Sequence, residues 1–187
     1  ESPPIHLCDN AFIQKVRGCL VDNFLDGPEF DFINSKDKCF IYDFNQAMNH
    51  VGYDFGGTIG SGSCWGRYML IYAKTGVKSK KVVARIYIRE NGLVLRMYFS
   101  GIDRHRAFLE RAPDFIQEPF IGPIGDCHHC HNEKDGLCKF RKTYCLHNLF
   151  IEKCNGLTFE FSNPDSSRLK HYMGLFCEFY PSRIFTR

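Results

Sequence analysis

The sequence predicts an α+β domain, in which an antiparallel β-sheet carries helices on one face. Two observations support this fold class. Asn91-Gly92 separates two segments rich in β-branched and aromatic residues, and an Asn-Gly pair in that position is a strong hairpin signal. Near both ends of the chain, apolar residues recur at the three- and four-residue spacing of amphipathic helices. A chain of 187 residues can bury a core in one such domain.

Capping residues, apolar stripes and turn residues place the individual elements along the chain. We expect helices over residues 9–25, 103–111 and 163–180, the last capped by Asn163 with Pro164 at its first position. A brief helix capped by Asp43 is expected to carry Ala47, Met48 and Val51. We expect strands over residues 39–44, 64–73, 80–89, 92–100, 142–146, 149–153 and 156–162. Residues 1–40 are interpreted as an N-terminal helix and extension, and residues 41–187 as the α+β domain.

The first hairpin brings basic and aromatic side chains to one face. A two-residue loop at Asn91-Gly92 pairs Glu90 with Leu93, so that Tyr87 lies opposite Arg96 and Arg85 opposite Tyr98. We call the side chains on that side the Arg/Tyr face, and they are Arg85, Tyr87, Arg89, Arg96 and Tyr98.

This face is the candidate ligand site. Tyr68 and Tyr72 share one side of the preceding strand and are expected to extend it. Residues predicted to bind a small planar or anionic ligand are Tyr68, Tyr72, Arg85, Tyr87, Arg96 and Tyr98. The alternative is a solvated sheet face stabilised by cation–π pairs. A nucleic-acid surface is disfavoured, because the signature of RNA-binding sheets is absent and the net charge is only +3.

Five of the ten cysteines lie between residues 127 and 154. Cys127 and Cys130 form a C-x-x-C pair, which supplies two zinc ligands from one turn. A disulfide framework spreads its cysteines more evenly, so zinc binding is favoured over disulfides or inert core thiols. The sequence therefore predicts a zinc knuckle inserted after the middle helix.

A second predicted hairpin, with His147-Asn148 as its loop, selects the remaining ligands. It places Cys154 opposite Arg141 at the base of the hairpin, where Cys138 also enters. Cys145 lies about 13 Å further along at the rise of a β-strand. The predicted metal ligands are Cys127, Cys130, Cys138 and Cys154, with His131 as the substitute if one cysteine fails. Four thiolates leave no open coordination position, which favours a structural role for Zn²⁺.

From about Trp65 to Tyr180 the chain resembles a family of uncharacterised bacterial proteins. The matching segments are MYFSGIDRHRAFLERAPDFI, GDCHHCH, CKFRKTY, EKCNGLTFEF and LFCEFYP. In that family cysteines recur at the four predicted ligand positions, whereas position 145 is usually not cysteine. The resemblance implies a shared metal site and a cytoplasmic location. More remotely, the order of strands and helices resembles gyrase-inhibitor-like ligand-binding domains, a likeness of fold alone.

The remaining motifs favour a non-enzymatic function. The sequence has no metalloprotease, nucleophile-elbow or dinucleotide-binding motif, and no apolar run long enough for a membrane span. We therefore expect a zinc-stabilised small-molecule-binding or regulatory protein. The alternatives are a zinc- or thiol-dependent enzyme and a protein-interaction module.

Overall fold

A computed structural model describes residues 24–78, 81–130, 138–154 and 158–181. Its helices are α1 (Ser35–His50), α2 (Arg106–Leu109), α3 (Asp114–Ile121) and α4 (Leu169–Phe179). Its strands are β1 (Tyr53–Asp54), β2 (Gly60–Ser61), β3 (Tyr68–Lys74), β4 (Val82–Arg89), β5 (Gly92–Tyr98), β6 (Arg141–Leu146), β7 (Leu149–Cys154) and β8 (Thr158–Ser162). Short 3-10 turns occupy Pro28–Phe30, Ser63–Trp65, Ile102–His105 and Ser166–Arg168.

The strands form two antiparallel sheets. The larger sheet has six strands in the order β1-β3-β4-β5-β8, with β2 also paired to β3, and β6 and β7 form a separate two-stranded sheet. This arrangement confirms the α+β class and the antiparallel sheet.

The helices and the larger sheet share an aromatic core. Phe44 of α1 lies 5.2 Å, between ring centroids, from Tyr72 of β3. Near the other edge of the same face of the sheet, Phe120 of α3 stacks on Phe159 of β8 at 4.1 Å. Each of these side chains is almost completely buried. Burial of one such ring stabilises the fold by about 2 kcal/mol before the cost of ordering it.

Helix α1 replaces the strand that the sequence predicted over residues 39–44. Asn34 caps it, because its side chain accepts a hydrogen bond from the Asp37 backbone N–H. Phe40 and Phe44 lie one helical turn apart and are both buried. The strand prediction was wrong because it rested on the β-favouring residue types of this segment and not on the helical spacing of Phe40 and Phe44.

The described part of residues 1–40 belongs to the same core. Leu25, Phe30 and Ile33 pack in one cluster with the sheet residues. The predicted boundary at residue 40 falls inside α1. The helix predicted over 9–25 lies almost entirely outside the described residues.

The β4–β5 hairpin exists, but its register differs from the prediction. Arg89 pairs with Gly92, so the loop residues are Glu90 and Asn91. A turn centred on Asn91-Gly92 of the predicted type needs positive φ at both positions, and only Gly92 has it, at 123°. The pairing is displaced by two residues. Since strand side chains alternate with a period of two, the two faces keep their predicted members.

The β6–β7 hairpin has the predicted register. His147 and Asn148 form its loop with φ values of 49° and 61°, as a two-residue turn with both φ positive requires. Arg141 pairs with Cys154 at the base, as expected.

The start of the last helix was predicted wrongly. Asn163 is not its cap, but a left-handed residue with a φ of 46°. Instead, Asp165 caps the 3-10 turn that leads into α4, by accepting a hydrogen bond from the Ser167 backbone N–H at 2.7 Å.

Candidate ligand-binding face and cysteine cluster

The Arg/Tyr face lies on the side of the larger sheet opposite to α1, α3 and α4. Four of the six predicted ligand residues share it: Arg85, Tyr87, Arg96 and Tyr98. The expected pairs of Tyr87 with Arg96 and of Arg85 with Tyr98 were wrong. The observed register places Arg85 directly opposite Arg96, and on the next strand Glu160 lies opposite Arg96.

The prediction that Tyr68 and Tyr72 extend this face was also wrong. Tyr68 pairs with Ile88 and Tyr72 with Ala84, which places both tyrosines on the helix-covered side. Tyr72 is completely buried, and burial raises the pKa of its hydroxyl far above the ordinary value. The two tyrosines do share one side of β3. The face of the sheet on which they lie depends on how β3 pairs with β4. The loop between these two strands does not determine that pairing.

Arg96 is the centre of the Arg/Tyr face. It is only 7% exposed, and its guanidinium carbon lies 4.1 Å from the Trp65 ring centroid and 4.9 Å from that of Tyr87. Its Nη1 donates a hydrogen bond to the Tyr87 hydroxyl at 3.3 Å, and its Nη2 forms an ion pair with Glu160. The guanidinium is therefore held between two aromatic rings and oriented by a carboxylate.

Trp65 was missed by the sequence reasoning, which placed it in a strand. It ends the 3-10 turn Ser63–Trp65, which approaches the sheet closely. Gly66 permits this approach, because a Cβ there would lie 2.8 Å from the carbonyl oxygen of Ile88. Arg89 fixes the segment by donating a hydrogen bond from Nε to the Trp65 carbonyl at 2.9 Å. The sequence feature that could have identified Trp65 is that it is the single tryptophan and directly precedes a glycine.

Arg85 adds a second positive charge beside Arg96. Its Nη1 donates a hydrogen bond to the Tyr87 hydroxyl at 3.1 Å, and its guanidinium carbon lies 5.6 Å from the Tyr98 ring centroid. Among the described residues it has no carboxylate partner, and the buried Nε atoms of Arg85 and Arg96 have no hydrogen-bond acceptor. Burial lowers the pKa of Arg85, but the Tyr87 hydrogen bond and the charge interactions with Tyr98 and Tyr87 together outweigh it, and the net pKa is raised. Burial also raises the pKa of Tyr98.

The cysteine cluster is organised by strand β7. The segment around Cys127 runs along this strand: the Cys127 N–H donates to the Glu152 carbonyl at 2.9 Å, and the Cys154 N–H to the Gly125 carbonyl at 2.7 Å. Burial, followed by the interaction with the neighbouring Cys127 thiol, raises the pKa of Cys154.

The other two predicted ligands are Cys138 and Cys130. Cys138 precedes β6, and its carbonyl accepts a hydrogen bond from the Arg141 N–H at 3.1 Å, next to the Arg141–Cys154 pair. Cys130 is exposed and is the last residue described before 138. Within the described ranges, no three His, Cys, Asp or Glu side chains are close enough together to hold a metal ion. His131 lies outside those ranges.

Cys145 stands apart from the cluster. It pairs with Phe150, near the loop end of the hairpin, and its N–H donates to the Asp103 carboxylate at 2.9 Å.

Lys153 is a further residue that the sequence reasoning missed. It is 3% exposed, and its ammonium donates to the carbonyls of Gly122 and Ile124 and to the carboxylate of Asp126. These bonds hold the segment before Cys127 against β7. No sequence signal distinguishes this lysine from a solvated one, since its acceptors are mostly backbone carbonyls.

Comparison with protein-family models, with curated proteins and with solved structures gives no match for this chain. None of the helices in the described ranges has both the length and the apolar character that crossing a membrane requires.

Proposed function

We propose that this chain is a non-enzymatic, cytoplasmic ligand-binding or regulatory protein, and that its Arg/Tyr face binds a small planar anion. The observation that carries the proposal is the direct opposition of Arg85 and Arg96 across β4 and β5. Like charges placed opposite each other destabilise a sheet, and Glu160 supplies only one compensating carboxylate. An anionic ligand would supply the second.

The chemistry of the face favours a planar ligand. A guanidinium presents its donors in one plane, which matches a carboxylate, and the Arg85 side chain is only partly buried. The exposed ring of Trp65 and the partly exposed ring of Tyr98 give flat surfaces beside these donors. Because Arg96 is already packed and oriented, binding would cost little further ordering.

Benzoate and its neutral analogue benzamide test this proposal. We expect benzoate to bind and benzamide to bind about tenfold more weakly or not at all, as measured by calorimetric titration. Arg85→Gln should remove the preference for benzoate without unfolding the chain, because Arg85 has no carboxylate partner among the described residues. Arg111→Ala, at an exposed position, is the matched control. Equal binding of benzoate by wild type and Arg85→Gln would contradict the proposal.

We propose also that Cys127, Cys130, Cys138 and Cys154 bind one structural Zn²⁺. The thiol contact between Cys127 and Cys154 and the pairing of Arg141 with Cys154 support this. With all four thiolates bound, the ion would tie the segment after α3 to both strands of the smaller sheet and contribute free energy of folding.

Metal content in cysteine variants tests the ligand set. We expect one zinc ion per wild-type chain and per Cys145→Ser chain, and little zinc in Cys138→Ser or Cys154→Ser, as measured by elemental analysis. Zinc retained by Cys154→Ser, or a wild-type protein without zinc, would refute this assignment.

A further inference from the structure

A cavity adjoins the Arg/Tyr face at the β3 side of the larger sheet. It has a volume of about 290 Å³. Its walls are Asp54, Phe55, Thr58, Gly60, Met69, Ile71, Ala73 and Val82. Most of these residues are apolar, and the volume lies at the lower end of the range for small-molecule sites.

The strand pairing explains why the cavity exists. On the outer edge of β3, β1 pairs only with residues 73 and 74, and β2 only with residues 68 and 69. The chain between β1 and β2 therefore leaves the middle of this edge unpaired. The side chains of Met69 and Ile71, on the Arg/Tyr side of the sheet, line the cavity at this gap.

Two residues of β3 that line the cavity pair directly with residues of the Arg/Tyr face on β4. Ile71 lies directly opposite Arg85, and Met69 directly opposite Tyr87. Directly opposed Cβ atoms in an antiparallel pair are roughly 5 Å apart. The apolar cavity and the Arg85 side chain are thus neighbours on one face.

The cavity wall contains an acidic residue, which affects where an anionic group can bind. Both carboxylate oxygens of Asp54 hold the surrounding loop: Oδ1 accepts from the Gly56 N–H at 2.9 Å and Oδ2 from the Thr75 hydroxyl at 2.7 Å. Its negative charge disfavours an anion at that end. An anionic group is favoured on the β4 side of the cavity, beside Arg85.

We infer that the ligand is a small amphipathic anion, whose apolar chain or ring occupies the cavity and whose carboxylate or other anionic head lies at Arg85. This inference rests on the proposed anion-binding function and adds the apolar half of the ligand. The hydrophobic contribution comes from burying carbon atoms against Phe55, Met69 and Ile71. The head group fixes the orientation through its charge-assisted hydrogen bonds.

Three probes separate the two halves of the ligand: octanoate, butyrate and octan-1-ol. By calorimetric titration, octanoate should bind about tenfold more tightly than butyrate, because its longer chain buries more carbon. It should also bind about tenfold more tightly than octan-1-ol, which lacks the charge. Equal affinities for octanoate and butyrate, or for octanoate and octan-1-ol, would overturn the inference.

A glycine in the cavity wall offers a variant that fills it. A Cβ at Gly60 would have no neighbour closer than the Met69 carbonyl oxygen at 4.0 Å, so Gly60→Leu places its side chain in the cavity without a backbone clash. We expect this variant to bind octanoate no more tightly than butyrate. Gly174→Leu is the matched control, since nothing lies within 4 Å of a Cβ there. It should retain the wild-type preference for octanoate.

The outcomes distinguish this inference from the proposed function. In one outcome, octanoate and butyrate bind equally, with binding lost in Arg85→Gln and kept in Gly60→Leu. That result would leave the anion site intact and refute the apolar subsite. If neither benzoate nor either fatty acid binds the wild-type chain, the proposed function itself fails. An unchanged octanoate affinity in Gly60→Leu would refute the cavity as the binding place of the chain.

Discussion

Asp165 connects two helices through one carboxylate. Its Oδ2 lies 2.7 Å from the Lys36 ammonium at the start of α1, and its Oδ1 accepts the Ser167 N–H in the turn before α4. The Lys36 contact, followed by the Ser167 hydrogen bonds, lowers the pKa of this carboxyl below its ordinary value of 3.8. Because the folded pKa is the lower one, the charged carboxylate stabilises the fold above pH 3.8, and this stabilisation is lost as the pH falls further.

Asp165→Asn isolates this charge, since asparagine can still cap the turn. We expect the variant to be less stable than wild type near neutral pH by about 1 kcal/mol or less, because the Lys36 side chain is 70% exposed. The difference in the free energy of unfolding should stay constant above about pH 5 and shrink in more acidic solution. Denaturant unfolding across this pH range measures it. Asp31→Asn, at an exposed position without an ion pair among the described residues, is the control. A difference that does not change with pH would contradict the assignment.

Among the elements, the two hairpins were the most predictable from sequence. Alternation of side chains is local, so the members of the Arg/Tyr face were correct although the β4–β5 register was displaced. At the second hairpin, His147 and Asn148 occupy both left-handed positions, which fixed the predicted pairing of Arg141 with Cys154.

Elements whose position depends on distant contacts were less predictable. The segment 39–44 contains β-favouring residues, but burial of Phe40 and Phe44 against distant aromatic rings makes it helical. The side of β3 that carries Tyr72 depends on pairing across the loop from β3 to β4. The position of Trp65 over Arg96 depends on a close backbone approach at Gly66. The last two of these relations are long-range and are not written in residue spacing.

At the scale of the whole molecule, buried contacts join the smaller sheet to α3 and to the segment that follows it. The Tyr144 hydroxyl donates to the Phe120 carbonyl at 2.7 Å, and Lys153 connects β7 to the segment after α3. The Arg/Tyr face lies on the other side of the larger sheet from α3 and its contacts with β8. The proposed zinc site and the proposed ligand site are therefore separated by the core.

This separation predicts that removal of the metal lowers stability without changing the ligand face. Chelation should lower the thermal midpoint of the wild-type chain by roughly 10 °C, since a structural zinc site contributes several kcal/mol of folding free energy. Emission from Trp65, the single tryptophan in the sequence, should remain unchanged at room temperature, because its ring contacts Arg96 and Tyr87. Cys154→Ser should show no further fall in midpoint with the chelator. An unchanged wild-type midpoint would contradict the structural zinc, and an altered Trp65 emission would show that the two sites are coupled through the core.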